Sequence, residues 1–211
     1  MKIGVLGTGD VGTNLGARFV QLGHEVKLGS RTEEKAQKWA QGKGPKAYGG
    51  TFADAAAFAE VVFNCTSGSV SLEALKLAGE KNLSGKVLVD VANPLNFSNG
   101  RLTLTVANTD SLGEQIQRAF PSAKVVKALN TMNIRVQVDP NIVHGESDVF
   151  ICGNDSGAKT KVTEILGWLG WKAPIDLGGI DCARGMEALF LFWYSLRVKY
   201  QSALFNFKIV R

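Results

Sequence analysis

The sequence predicts an α/β fold, a doubly wound and mostly parallel sheet followed by a C-terminal helical extension, and three observations predict it. Continuous apolar runs of strand length recur at residues 61–65, 86–91 and 124–129, separated by helix-length segments. Strands buried on both faces alternate with crossover helices in this way. A further apolar run at residues 2–6 leads straight into Gly7-x-Gly9-x-x-Gly12 and then a helix-length segment to Leu22. From Ile180 onward the chain becomes rich in large apolar and aromatic residues at helical spacing. The expected division is a sheet domain over residues 1–178 and a helical segment over 179–211, for dimerisation or closure of a substrate site.

In a strand–turn–helix of this kind each glycine has its own task. Gly7 lets the chain turn, Gly9 lets backbone N–H groups approach a pyrophosphate with no side chain between, and Gly12 lets helix pack on strand. The phosphates then face the positive end of the helix. The arrangement is Rossmann-type, and it points to a dinucleotide.

Which dinucleotide is read from the next strand, residues 25–29, whose end reaches the adenosine ribose about 20 residues past the glycines. An NAD-selective site places Asp or Glu there. Here Ser30, Arg31 and Thr32 stand at that point, with Lys35 a turn later and no acid before Glu33. A hydroxyl, a guanidinium and an ammonium suit a 2′-phosphate, so the expected cofactor is NADP(H). The plainer alternative makes Ser30 a helix N-cap with Glu33 completing a capping box, and Arg31 and Lys35 solvated surface.

The chain has 211 residues, 45% hydrophobic and 20% charged, which fits one globular domain or one with a small extension. Its net charge of +5 is scattered, and no RNA- or DNA-reading motif accompanies it, so nucleic acid is not an expected partner. Cys65, Cys152 and Cys182 form no C-x-x-C and read as reduced buried thiols of a cytoplasmic protein. The longest apolar run, residues 188–196, falls well short of the roughly 20 needed to span a membrane.

Further elements follow in order. Residues 32–41 read as a helix ended by Gly42-Lys43-Gly44-Pro45, 46–49 as a short strand, and Thr51 with Asp54 as the start of a helix to Ala59. The strand at 61–65 delivers Thr66-Ser67-Gly68 to the carboxyl edge, where ligands bind in a parallel sheet. Thr66 and Ser67 are expected to face the cofactor, or to cap a helix over 70–78. The strand at 86–91 delivers Asn93-Pro94 to the same edge.

Between Asn93 and Asp110 lies a connection beyond the about 12–15 residues common for structureless loops. It is expected to be a lid, with 102–106 as an edge ribbon. Ser111 and Glu114 suggest a capping box for a helix over 112–120. The strand at 124–129 brings Asn130-Thr131-Met132-Asn133 to the edge; Asn130 is assigned to the cofactor and Thr131, Met132 and Asn133 to the substrate. Residues 149–152 extend the sheet and 161–169 are helical.

In the tail, Met186, Leu189, Phe190, Trp193, Leu196, Tyr200, Ala203, Leu204 and Phe207 mark one helical stripe, widened by Leu191, Phe192 and Tyr194. A helix apolar on most faces is expected to be buried on most faces, here against the sheet and a second copy in a homodimer. The sharper alternative stacks a flavin-like substrate on these rings.

No catalytic acid or base stands out, and no metal-ligand spacing occurs. Tyr194 is followed four residues later by Val198, and Tyr200 by Leu204, so Y-x-x-x-K is absent. His24 and His144 read as surface residues. Hydride transfer between two stacked heterocycles needs no proton shuttle, so a site with no catalytic side chain is a coherent expectation.

Together, the run from Gly7 to Gly12, Ser30-Arg31-Thr32 with Lys35, Asn93-Pro94 and Ala128-Leu129-Asn130-Thr131 resemble the NADP oxidoreductases that use the deazaflavin coenzyme F420. The cytosolic domains of the six-transmembrane metalloreductases look like relatives of the same group. The resemblance runs from Met1 to about Gly178. It implies hydride transfer between NADPH and a stacked deazaflavin, or a flavin-like acceptor. It further implies that Thr8, Gly9, Asp10, Val11 and Gly12 hold the pyrophosphate, Ser30, Arg31 and Lys35 the 2′-phosphate, and Thr66, Ser67 and Asn93 the nicotinamide half. The long aromatic tail departs from the compact ending of that group.

Two other readings compete. A β-hydroxyacid dehydrogenase or imine reductase begins the same way but needs a large second helical domain, which the 33 residues after Gly178 do not supply. A cofactor-sensing module would bind NADPH without turnover and act on a partner through the tail.

Overall fold

The structure, a computed structural model, describes residues 1–98 and 100–211. Asn99, within the expected lid, lies outside the described residues. The chain runs β1 (Lys2–Leu6), α1 (Asp10–Gln21), β2 (Glu25–Ser30), α2 (Glu33–Ala40), β3 (Ala47–Thr51), α3 (Phe52–Phe58), β4 (Val61–Asn64), α4 (Ser71–Ala78), α5 (Glu80–Leu83) and β5 (Val87–Asp90). It continues through β6 (Leu95–Ser98), β7 (Arg101–Leu104), α6 (Leu112–Ala119), β8 (Lys124–Ala128), α7 (Ile134–Val138), β9 (Phe150–Gly153), α8 (Ser156–Trp168), β10 (Ile175–Asp176) and α9 (Ala183–Tyr200).

The main sheet has the order β10-β9-β8-β5-β4-β1-β2-β3. From β3 through β8 all neighbours are parallel; β9 runs antiparallel to β8, and β10 parallel to β9. β4 is buried at every position, which explains why it reads as an unbroken apolar run: both faces carry helices. One face holds the core of Leu15, Phe19, Phe63 and Val162, the other that of Phe52, Leu75, Ile116 and Met186.

The glycine roles are visible in the turn after β1. Gly7 has φ +119°, and a Cβ there would lie 2.7 Å from the Cys65 carbonyl oxygen. A side chain at Gly12 would collide with the Gly7 carbonyl, which is how closely α1 packs on the strand, whereas at Gly9 nothing approaches within 4 Å. α3 begins where expected, after Thr51, and Thr51 and Asp54 form a capping box there. At α6 the box is only half formed. Ser111 Oγ accepts from the Glu114 N–H, but the Glu114 carboxylate turns to the Ser111 hydroxyl and to a bidentate pair with Arg184 of α9.

Two expectations are corrected. The lid region forms an antiparallel hairpin in which β7 pairs with Leu95–Ser98, so the ribbon begins at Arg101 and ends before Thr105. Its base is tied down by the Thr105 N–H, which donates to the Pro94 carbonyl at 2.8 Å. The C-terminal helix stops at Tyr200, because Gln201 takes a left-handed conformation with φ 51°. Ala203, Leu204 and Phe207 therefore share no helix with Met186. The tail folds back instead, stacking Phe207 on Phe192 and Phe205 on Trp193, while the Phe207 carbonyl accepts from the Asp148 N–H. α9 is also less buried than its composition suggests: Phe192 is 57% and Tyr200 63% exposed.

A buried charge cluster lies beneath the carboxyl edge. Lys127 in β8, with no exposed side-chain surface, places Nζ 2.7 Å from Asp90 Oδ2, 2.7 Å from Glu187 Oε1 and 2.6 Å from the Ala92 carbonyl. Glu187 also accepts the N–H groups of Leu112 and Gly113 at the start of α6, each at 3.0 Å. Burial opposes the charge on Lys127, but the two carboxylates outweigh it and hold its pKa above the ordinary lysine value. Removing the cation leaves two carboxylates buried without it. Lys127→Met is expected to cost about 3–5 kcal/mol, a fall in Tm on the order of 10 °C, measurable by differential scanning fluorimetry.

Candidate functional site

The strand order reverses between β1 and β4, so the connections leaving their carboxyl ends diverge and open a crevice. Two adjoining cavities occupy it, of about 320 and 430 Å³, and both are lined by Cys65, Thr66 and Ser67. They form one cleft along the sheet edge.

The first cavity begins at the glycine turn, with Gly7, Thr8 and Gly9 on its wall. Gly9 is the N-cap of α1, and no side chain caps that helix. The open space at Gly9 and the uncapped N–H groups beside it fit a pyrophosphate. Ser30, Arg31, Thr32 and Lys35 line the same cavity. Ser30 is buried and does not cap α2; Thr32 is the N-cap, and its own N–H lies 3.4 Å from Ser30 Oγ. The capping-box alternative for Ser30 and Glu33 is thereby set aside. Among the described residues neither Arg31 nor Lys35 has an ion-pair partner. The facing wall, not foreseen from the sequence, comes from Phe52, Val70, Glu73, Ala74 and Leu77. The available signal was the run of apolar residues Val70, Ala74 and Leu77 at helical spacing within residues 70–78.

Beyond the shared segment after β4, the second cavity collects residues from distant parts of the chain. Asp10 and Val11 enter from the glycine turn, Asn93 from the end of β5, Leu95 and Phe97 from β6, Asn130, Met132 and Asn133 from the end of β8, and Phe190 and Trp193 from α9. Leu129, the residue that turns the chain out of β8, is held at φ 62°, a costly conformation for leucine. The next side chain, Asn130, donates to Asn93 Oδ1 at 2.9 Å and to the Met186 carbonyl at 3.0 Å, while Asn93 returns a 2.7 Å bond to the Asn130 carbonyl.

Three buried polar atoms on residues lining this cavity have no protein partner: Asn130 Oδ1, Gln137 Oε1 and Trp193 Nε1. They are two acceptors and one donor, all without accessible surface, left unpaired behind the cavity wall. Gln137 is fixed in that orientation because its Nε2 donates to the carbonyls of Leu129 and Met132.

Not every expected residue reaches the cleft. Gly12 lies under Gly7, Pro94 lies under the hairpin, and Thr131 is 1% exposed; none lines either cavity. Thr66 lines both cavities, but its hydroxyl is turned inward, 2.7 Å from Asn64 Oδ1. Neither Thr66 nor Ser67 caps α4.

No reactive side chain is built into the cleft. Burial, helped by the nearby Asp90 charge, pushes the Cys65 thiol far above its usual range, and burial foremost pushes Cys152 up to about 12. His24 stacks on Trp168 at 4.3 Å, and His144 is exposed and lines neither cavity. Among the described residues no cluster could hold a metal ion.

The model of a family described as coenzyme F420-dependent NADP oxidoreductases matches residues 2–94. The F420-dependent NADP reductase of Methanocaldococcus jannaschii is 30% identical over 215 residues, covering 96% of this chain and 95% of that protein. The chain belongs to this family. It is thus placed among the NADP-dependent oxidoreductases. A solved structure from Arthrobacter sp. FB24, named provisionally as an F420-dependent NADP reductase, superposes with a TM-score of 0.96 at 49% identity over the whole of both chains. Metalloreductase STEAP3 of Rattus norvegicus is 32% identical over 190 residues, 89% of this chain, which spans 36% of that protein's length.

For this member of the family, cofactor choice is expected to rest on Arg31. A charge-assisted bond contributes roughly 1.5–3 kcal/mol, so Arg31→Ala is expected to weaken NADPH binding about tenfold to a hundredfold with little change for NADH. Titration calorimetry with both nucleotides checks this, and equal losses would leave Arg31 a surface residue.

Proposed function

We propose that the protein transfers hydride between NADPH and a deazaflavin, coenzyme F420, or a flavin-like acceptor bound beside it. The observation that carries the reading is the continuity of two unlike cavities across Cys65, Thr66 and Ser67. One end offers unpaired cations, the other aromatic rings and the locked side chains of Asn93 and Asn130. When bound, NADPH supplies the hydride.

The chain's own residues bind and orient. Thr8 to Val11 present backbone N–H groups to the pyrophosphate, and Ser30, Arg31, Thr32 and Lys35 take the 2′-phosphate. Asn93 and Asn130, locked to each other, orient the nicotinamide half. Met132, Asn133, Phe97, Phe190 and Trp193 bound the space for the second ring and exclude water from it. Among the described residues the second cavity has Asp10 as its single charged lining residue; direct hydride transfer between stacked rings needs no side chain to carry a proton, and the proton that completes the reduced ring comes from solvent.

In this reading residues 1–178 hold the dinucleotide and 179–211 close the acceptor side of a small-molecule site in a cytoplasmic enzyme. No helix of the described residues is long and apolar enough to cross a membrane. The exposed rings of α9, with Val198 at 59%, are proposed to meet a second copy in a homodimer. Gel filtration with light scattering is expected to give twice the 22.6 kDa chain mass; a clean monomer would sink that part.

The activity is tested by following NADPH absorbance with coenzyme F420, FMN and FAD offered in turn. Turnover with coenzyme F420 or a flavin is expected. Tight NADPH binding with no turnover by any of them would favour the alternative, a redox-sensing module that binds the nucleotide without using it.

A further inference from the structure

The acceptor side of the cleft has a wall the sheet does not supply. Phe190 and Trp193 reach it from α9, a helix whose last two turns are largely exposed. The returning tail touches its outer half through Phe205 and Phe207, and its first turns are buried at Ala183, Met186 and Glu187; on a helix Phe190 and Trp193 follow Met186 at i+4 and i+7, on the same face.

Glu187 makes contacts unusual for a carboxylate inside an apolar helix face. Oε2 accepts from the Leu112 N–H, and Oε1 accepts from the Gly113 N–H and from Lys127 Nζ. Lys127 Nζ reaches the Ala92 carbonyl, Asn93 follows in the chain, and the amide of Asn93 is locked to Asn130, which donates to the Met186 carbonyl. The bonds close a ring: Glu187, Lys127, Ala92–Asn93, Asn130, Met186. That ring passes through both walls of the second cavity. A change at Glu187 is felt by the aromatic wall directly and by the nicotinamide half through Asn93 and Asn130, but not by the 2′-phosphate end, since no residue of the ring lines the first cavity.

From this geometry we propose that Glu187 is a positioning residue: it clamps the first turn of α9 to α6 and Lys127, and so fixes Phe190 and Trp193 at the distance a planar acceptor requires. The inference rests on the second cavity being the acceptor site, as proposed above. Glu187→Gln keeps the shape but turns one acceptor into a donor, facing groups that are all donors themselves.

In Glu187→Gln the KM for coenzyme F420 is expected to rise by about tenfold or more, while the dissociation constant of adenosine 2′,5′-bisphosphate, which carries the 2′-phosphate end without the nicotinamide, stays within roughly twofold. Amide hydrogen exchange in residues 183–200 is expected to quicken by about tenfold or more. A purely structural role would move both ligands together. Equal losses for adenosine 2′,5′-bisphosphate and coenzyme F420, or an unchanged KM with unchanged exchange, would overturn the proposal.

If the Gln variant does not fold, Glu187→Asp carries the same test. It keeps an acceptor-only carboxylate but shortens its reach, and a wild-type KM and exchange rate in that variant would overturn the proposal equally. The exchange measurement needs no turnover. A wild-type protein inactive with every acceptor would therefore count against the functional reading, while faster exchange in the variant would still establish the clamp.

Discussion

Lys127 is the constraint around which this structure closes. An ammonium with no access to water survives only where its three donors are met, and here each is: by Asp90, by Glu187 and by the Ala92 carbonyl. The partners come from β5, the connection leaving it, and α9. The excess negative charge is shared with the N–H groups at the start of α6 and with the Asn64 amide, which donates to Asp90 Oδ1 at 2.8 Å. Five segments distant in sequence are thus bound to one cation just below the sheet edge. A buried ion cluster of this kind is weak evidence for extra stability, since apolar side chains of similar volume often serve as well. What it supplies is orientation, because only one arrangement satisfies every donor.

The cleft inherits that order. Asn64, bonded to Asp90, also accepts from the Thr66 hydroxyl, so the residue shared by the two cavities is held by the same cluster that holds Asn93 on one side and α9 on the other. The cleft so ordered has two unlike ends: cations and the glycine turn at one, aromatic side chains at the other. Rigid support from strand ends, with adaptable aromatic surface contributed by the last helix, lets a dinucleotide site of common design be joined to an acceptor site of its own.

Much of this was legible from the residues alone, for physical reasons. Strands such as 61–65 and 124–129 announce themselves because burial on two faces leaves no polar alternation. The glycine turn and Ser30-Arg31-Thr32 are local, and local chemistry survives translation into three dimensions. The parts that were not legible depend on distant partners. Lys127 and Asp90 were passed over as odd polar residues within apolar strands, and Glu187 was lost among Met186, Leu189 and Phe190. A charge in a strand otherwise buried was the available signal, since such a residue must be paired. The helix end at Tyr200 escaped because the 3.6-residue stripe continues by coincidence into a tail that doubles back, and the first hairpin strand escaped because Leu95–Ser98 is too short to show alternation. Thr131 was grouped with its neighbours, but the left-handed turn at Leu129 sends Asn130 toward the cleft and leaves Thr131 in the core.

The charges along the cleft give it a polarity. At the glycine end stand Arg31 and Lys35, offset only by Glu73; at the aromatic end stands Asp10 alone. A ligand with an anionic head and a neutral ring is drawn in one way round, head toward the cations, before any hydrogen bond forms. Salt weakens that attraction over a Debye length of about 8 Å at physiological strength, whereas contact with the rings of Phe190 and Trp193 is indifferent to it. Loading therefore has a direction, and ionic strength governs how fast the first ligand arrives far more than how firmly the second is held.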